Sequence, residues 1–262
     1  MKSIIVSLSV EILKIRKSKV FWLMLVFFAF VPCMMGLLMF VQKYPDISSK
    51  LGMIGTKASM LRFGEANWSN YLNLFNQFIA AIGYIGYGFI TTWIFGREYT
   101  DHTIKDILAL PISRINIVIS KFVAIIIWCF ILSGIFLAVG IIIGHVIQLS
   151  GWSDVIILQS VNKYNIASLL TILLCTPVAF FASFGRGSLL PLGFIILTLI
   201  IANFTGLVGL GPYFPWAIPG IYSTPAGTEG IQLGIASYII LFATFIIGFL
   251  GTLAWWLYAD QK

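Results

Sequence analysis

Six stretches of this chain run without a single Lys, Arg, Asp or Glu: Val20 to Val41, Tyr71 to Phe95, Phe122 to Gly144, Tyr164 to Phe184, Ser188 to Leu210 and Ile231 to Tyr258. Each reaches the ~20 residues that an α-helix needs to cross the ~30 Å hydrocarbon core of a bilayer. A chain in that solvent has no water to satisfy its peptide groups, so the spanning elements are helices or a closed barrel, and the length and continuity of these runs select helices. A soluble domain is ~45 to 50% apolar and ~25% charged. Here 60% of residues are apolar, 10% are charged and the mean hydropathy is +1.01. The expected fold is therefore all-α and polytopic: a permanent membrane bundle of six transmembrane helices over residues 20–262, preceded by a separate N-terminal segment, residues 1–19. Basic residues ahead of an apolar run also occur in signal peptides. Val20 to Val41 has no small-x-small cleavage site behind it, however, so the first span is expected to be retained.

The segments between the runs set the orientation. With the N-terminus cytoplasmic, the inner segments hold eleven Lys and Arg and the outer loops five. The bias of cationic residues toward the cytoplasm then predicts a protein of the cell (plasma) membrane with both termini in the cytoplasm. In that orientation Trp22, Trp93, Trp255 and Trp256 fall near the inner interface and Trp68, Trp152 and Trp216 near the outer one, as an aromatic belt requires. The formal charge of +7 accompanies these span ends and forms no aromatic-interleaved basic patch. It points to anionic lipid headgroups and away from nucleic acid.

Several chemistries are excluded by what is missing. No Gly-Lys-Ser/Thr phosphate loop is present, so ATP hydrolysis is not expected on this chain. Cys33, Cys129 and Cys175 lie inside apolar runs and read as core packing. His102 and His145 stand apart at span ends and read as solvated, so no metal site is expected. No charged residue sits in mid-span, where a proton relay or an ion-coupled carrier places one. Only Asn76, Gln77, Asn203 and Thr205 bring polarity there. The Gly83, Gly86, Gly88 spacing partly imitates a nucleotide fingerprint but lacks the preceding strand and the acidic partner. It reads as small residues that let helices approach. Pro177 predicts a kink in the fourth span.

Two segments flank the bundle with more pattern than a loop needs. Over Ser3 to Lys19, Ile5, Leu8, Ile12 and Ile15 recur at helical spacing while Ser7, Glu11 and Lys14 fall on another face. This predicts an amphipathic helix along the membrane surface, with Arg16, Lys17 and Lys19 set for headgroups. Between spans two and three, Gly96 to Lys121 predicts a short helix capped by Thr100 or Asp101, with Ile104, Ile107 and Leu108 on one face. Pro111 ends it, and Ser113 opens the next element. An ordinary amphipathic loop helix has the same periodicity.

The run Arg97-Glu98-Tyr99, Thr103, Leu108, Pro111-Ile112-Ser113-Arg114 and Lys121 resembles the permease subunit of type-2 ABC exporters. More narrowly, it is similar to the permeases of bacitracin-resistance and lantibiotic-immunity transporters. Glu11-Ile-Leu-Lys14 followed by Arg16 to Trp22, and Pro215-Trp-Ala-Ile-Pro219-Gly, share that likeness. His102 departs from it, standing where many relatives carry Gly. The resemblance implies an ATPase-coupling segment of Arg97, Glu98, Thr103, Lys105, Ile107, Leu108, Pro111 and Arg114, beside an interfacial helix bearing Glu11, Lys14, Arg16 and Lys17. It also implies an outer loop of short re-entrant helices bearing Pro215, Trp216 and Pro219.

The partners implied are a cytoplasmic ABC ATPase subunit and a second permease copy, as homodimer or heterodimer. ATP and Mg reside on the ATPase, and this chain binds no cofactor of its own. The cargo implied is amphipathic or lipid-like, with antimicrobial peptides among the candidates. A membrane sensor or scaffold without transport activity is the reading that competes with a permease.

Overall fold

The computed structural model describes residues 2–44, 65–109, 112–224 and 232–259. Helix α1 spans Lys2–Lys17. Six helices long and apolar enough to cross a membrane follow in the order expected: α2 (Lys19–Lys43), α3 (Trp68–Thr100), α5 (Arg114–Val146), α6 (Asp154–Phe184), α7 (Leu189–Leu207) and α9 (Ile235–Tyr258). Two short helices lie between them, α4 (Ile104–Leu108) and α8 (Ile218–Ser223). Among the described residues there is no strand, only an isolated bridge between Asn67 and Ser150.

Apolar side chains do not drive helices together when the solvent is itself apolar, so close backbone approach and internal hydrogen bonds must. Glycines supply the approach. The Phe28 ring of α2 sits where a side chain at Gly86 of α3 would be, and Ile195 of α7 covers Gly88. The rings of Phe75 and Trp68 occupy the same kind of space at Gly140 and Gly144 of α5. The glycine spacing on α3 is thus a packing device, as its sequence implied. Hydroxyls supply the hydrogen bonds. Tyr87 pairs with Ser168 at 3.1 Å, Tyr84 with Thr198 at 3.1 Å, and Tyr164 donates to the Ser133 carbonyl at 3.0 Å.

Two spans are irregular. In α3 the residues Ile79–Gly83 form a π-helical turn. In α6 the helix ends at Leu173 and restarts at Thr176, with Pro177 in the first turn of the second half. Pro has no amide hydrogen and is accommodated at a helix start. The expected kink is therefore a break just ahead of the proline. Thr176 Oγ1 donates to the Phe245 carbonyl of α9 at 3.0 Å, which ties the break to its neighbour.

Four sequence expectations need correction. The polar stretch Gly96 to Lys121 is mostly helix: α3 runs on to Thr100 and α5 already begins at Arg114, so Arg97, Glu98 and Lys121 belong to spanning helices. Thr100 closes α3, with Asp101 as its C-cap, and caps no helix that follows. Trp68 and Trp256 are fully buried and take no part in a belt, because Trp256 donates to Ser183 Oγ at 3.0 Å and Trp68 packs on Tyr71. Cys129 and Cys175 are buried, but Cys33 is exposed on the outer surface of the bundle. His102 and His145 are exposed, as expected, and His145 also packs against Trp68 and Trp152.

Candidate functional site: a buried ion cluster at the ends of three helices

At the end of the bundle where α1 lies, α1, α3 and α5 bring their charged residues into one cluster. Lys121 of α5 is wholly buried and Glu98 of α3 nearly so, at 0% and 2% exposure, while Glu11 of α1 is at 4%. Such burial of an ammonium is costly unless every proton finds an acceptor. Lys121 Nζ meets three: Glu98 Oε1 at 2.8 Å, Glu11 Oε1 at 3.2 Å and the Ile94 carbonyl at 3.2 Å.

Arg97 completes a second link across the same helices, donating through Nη2 to Glu11 Oε2 at 2.6 Å and through Nε to Glu98 Oε1 at 3.4 Å. Its guanidinium lies 4.6 Å from the centre of the Trp93 ring. Lys14, half-exposed at the rim, donates to Glu98 Oε1 at 3.3 Å. The remaining oxygen of Glu98, Oε2, accepts from Thr103 Oγ1 at 3.1 Å, and the Thr103 amide donates to the Glu98 carbonyl at 3.0 Å. Glu98 therefore connects all four elements: α1, its own helix, α5 and the start of α4.

This geometry reverses the outlook of α1. The polar face turns inward, and Ile15, expected on the apolar face, turns in with it. Ser7, Glu11 and Ile15 are buried against the bundle, while Ile5, Val6, Val10, Ile12 and Leu13 are exposed. Exposed apolar side chains beside a membrane bundle are suited to lipid. Arg16 and Lys17 sit exposed at the end of the helix. Ser18 then opens α2, its side chain accepting from the Phe21 amide at 3.2 Å.

The segment between α3 and α5 divides into anchored and free residues. Thr103 is anchored through Glu98, and Ile104 is buried. Arg114 Nη1 donates to the carbonyls of Trp256 and Leu257 at 3.2 Å each, where the last carbonyls of α9 lack helical partners. Asp101, His102, Lys105 and Asp106 are exposed. His102 holds φ at 56°, in the left-handed region that glycine enters freely. Pro111 lies outside the described residues, as do the side chains of Ile107 and Leu108.

At the other end of the bundle, Pro215, Trp216 and Pro219 belong to a chain of short helical turns between α7 and α9: Gly211–Tyr213, Pro215–Ala217 and α8. Each turn starts at or beside a proline. Lys163 of α6 donates to the Thr224 carbonyl at 2.6 Å, pinning the last turn.

Sequence reading had named the residues of the ion cluster but had divided them between two segments. It had left Lys121 out of the coupling set, and nothing in the periodicity of α1 paired Glu11 with a lysine 110 positions later. The one available signal is that Glu98 stands beside Arg97 at the end of an uncharged run, while Glu11 has Lys14 one helical turn away.

A family model described as ABC-2 family transporter protein matches residues 7–204. The chain belongs to this family. The ABC-2 permease is also similar to the bacitracin transport permease protein BCRB of Bacillus licheniformis. The two are 26% identical over 214 residues, covering 81% of this chain and 94% of that protein. No solved structure matches it. The permease is thus a membrane transport subunit rather than an enzyme. The family match includes every residue of the ion cluster, and the proline-rich turns before α9 fall beyond it.

Proposed function

We propose that this permease is the membrane-spanning half of an ATP-driven exporter and works with a separate cytoplasmic ATPase that seats on residues 101–113. The observation that carries the reading is the ion cluster. A segment with four exposed polar residues is joined at its base to three helices through Glu98, Lys121, Glu11 and Arg97. A push on that segment is then conveyed to α1, α3 and α5 together, as a coupling element requires, because fully paired buried charges hold their partners in fixed geometry. Within this reading Lys105, Asp101 and Asp106 form the contact surface. Arg97, Glu98, Thr103 and Arg114 position it, and α1 rides on the inner leaflet through its exposed apolar side chains and Arg16 and Lys17.

Hydrolysis belongs to another polypeptide, which holds ATP and Mg, because no phosphate loop occurs in this sequence. A second permease copy completes the pathway, a homodimer being the simplest assembly. Both termini face the cytoplasm, and the turns between α7 and α9 enter the outer leaflet. The cargo is amphipathic or lipid-like and leaves the cell or its membrane, with an antimicrobial peptide favoured by the likeness to a bacitracin permease. Affinity purification of the permease from the cells that make it tests the reading, by whether an ATPase is recovered with it. The expected result is a stable complex whose ATP turnover responds to cargo, and transport by the purified permease alone would overturn it.

A further inference from the structure

About 30 Å along α3 from the ion cluster, at 1.5 Å per residue, the bundle opens a groove of 580 Å³ between α3, α7 and the turns that precede α9. It contains two of the mid-span polar residues that the coupling function does not use, Gln77 and Asn203, together with Trp216 and Thr224. The space has structural causes. The π-helical turn Ile79–Gly83 places Ala80 and Ala81 on one wall, and small residues including Gly206 form the other. Its outer rim is held by the hydrogen bond from Lys163 to Thr224.

The lining is chemically selective. Among the described residues, no ionisable one lines it. Gln77 is exposed and makes no hydrogen bond to a described residue, and among the described residues the Asn203 side chain has one hydrogen bond, donated to the Leu199 carbonyl of its own helix at 2.8 Å. A carboxamide left to hydrocarbon forfeits hydrogen bonds that water or a ligand would make. A charged group in the groove would be desolvated, and the cation at its rim, Lys163, is already engaged by the Thr224 carbonyl at 2.6 Å. A wholly apolar occupant would leave both carboxamides unsatisfied. The occupant that satisfies all three conditions is uncharged, rich in hydrogen-bonding groups at one end and apolar at the other.

We propose that this groove binds the neutral polar head of an amphipathic molecule, its apolar tail lying along α7 toward the lipid. Binding itself requires only the groove; that the occupant is cargo rests on the exporter reading.

The test uses the full chain in lipid nanodiscs and an alkyl glucoside carrying a diazirine beside its head group. Illumination is expected to label peptides containing Ala80 to Ala81, Ala202 to Gly206 and Trp216 to Gly220. Excess unlabelled alkyl glucoside is expected to suppress the labelling, whereas an alkyl phosphate or alkyl trimethylammonium of equal chain length is not. Gln77→Leu/Asn203→Leu removes two neutral hydrogen-bonding groups, each worth ~0.5–1.5 kcal/mol, so labelling is expected to fall about tenfold. The thermal midpoint of that variant shows that the fold is retained. Labelling spread evenly over the lipid faces of α7 and α9, or unchanged in the double variant, would overturn the proposal. So would Gln77→Cys cross-linking between two copies with the probe excluded, since the groove would then be a subunit contact. Absence of labelling in the parent protein with normal ATPase association refutes the site alone, while labelling without any ATPase association refutes the exporter reading alone.

Discussion

Replacing Lys121 by Met is the most direct probe of the ion cluster, because it keeps much of the side-chain volume and removes the one wholly buried cation among the three that touch both carboxylates. The ammonium makes three hydrogen bonds, all of which disappear, and Glu11 and Glu98 lose their most buried shared cation. Breaking a buried ion pair by deleting one partner costs ~3–5 kcal/mol. Arg97 still bridges both carboxylates at 2.6 and 3.4 Å, which argues for the lower end of that range. At ~2–4 °C per kcal/mol for a chain of this size, a loss of about 3 kcal/mol lowers the thermal midpoint by about 6–12 °C. The assay is thermal denaturation of the purified permease in nanodiscs, followed by loss of the monodisperse peak. The companion variant Lys121→Met/Glu98→Gln removes one charge of each sign and is expected to recover about 1–2 kcal/mol, the usual size of coupling between contacting residues. A midpoint for Lys121→Met within about 2 °C of the parent, or strictly additive effects in the double variant, would refute the claim that these residues act as one unit.

Other outcomes follow from the same structure. Lys105→Glu alters an exposed residue and should leave stability within ~0.5 kcal/mol of the parent while weakening ATPase capture in a pull-down. Glu98→Lys should instead fail at insertion or folding, since it would gather four cations around the single carboxylate of Glu11. Gly248→Ala drives a methyl into the backbone at Thr176 and Pro177 and should cost ~1–3 kcal/mol in a melting assay. Gly193→Ala, with nothing nearby, should be neutral or slightly stabilising. Ser3→Cys and Gln261→Cys should resist a membrane-impermeant maleimide in intact cells, and labelling of either from outside would overturn the topology.

The six spans were legible from the sequence because their cause is local: a run of ~20 uncharged apolar residues has no stable place in water whatever surrounds it. The same holds for the break at Pro177, which follows from a missing amide hydrogen, and for the glycines of α3, whose value lies in lacking a side chain. The two faces of α1 were also legible, since helical periodicity assigns Ile5 and Ile12 to one side and Ser7 and Glu11 to another. The direction in which each face points was not. That depends on a partner, and the partners of Glu11 are Arg97 and Lys121, which the chain reaches only after two further spans. Charge pairing carries no periodicity, so Lys121 looked like the border of a span until the packing of α5 against α1 and α3 put its ammonium between two carboxylates. The groove is a tertiary product in the same sense. Gln77 and Asn203 were visible as rare polar residues, but only the π-helical turn and the proline-broken connection bring them to one space.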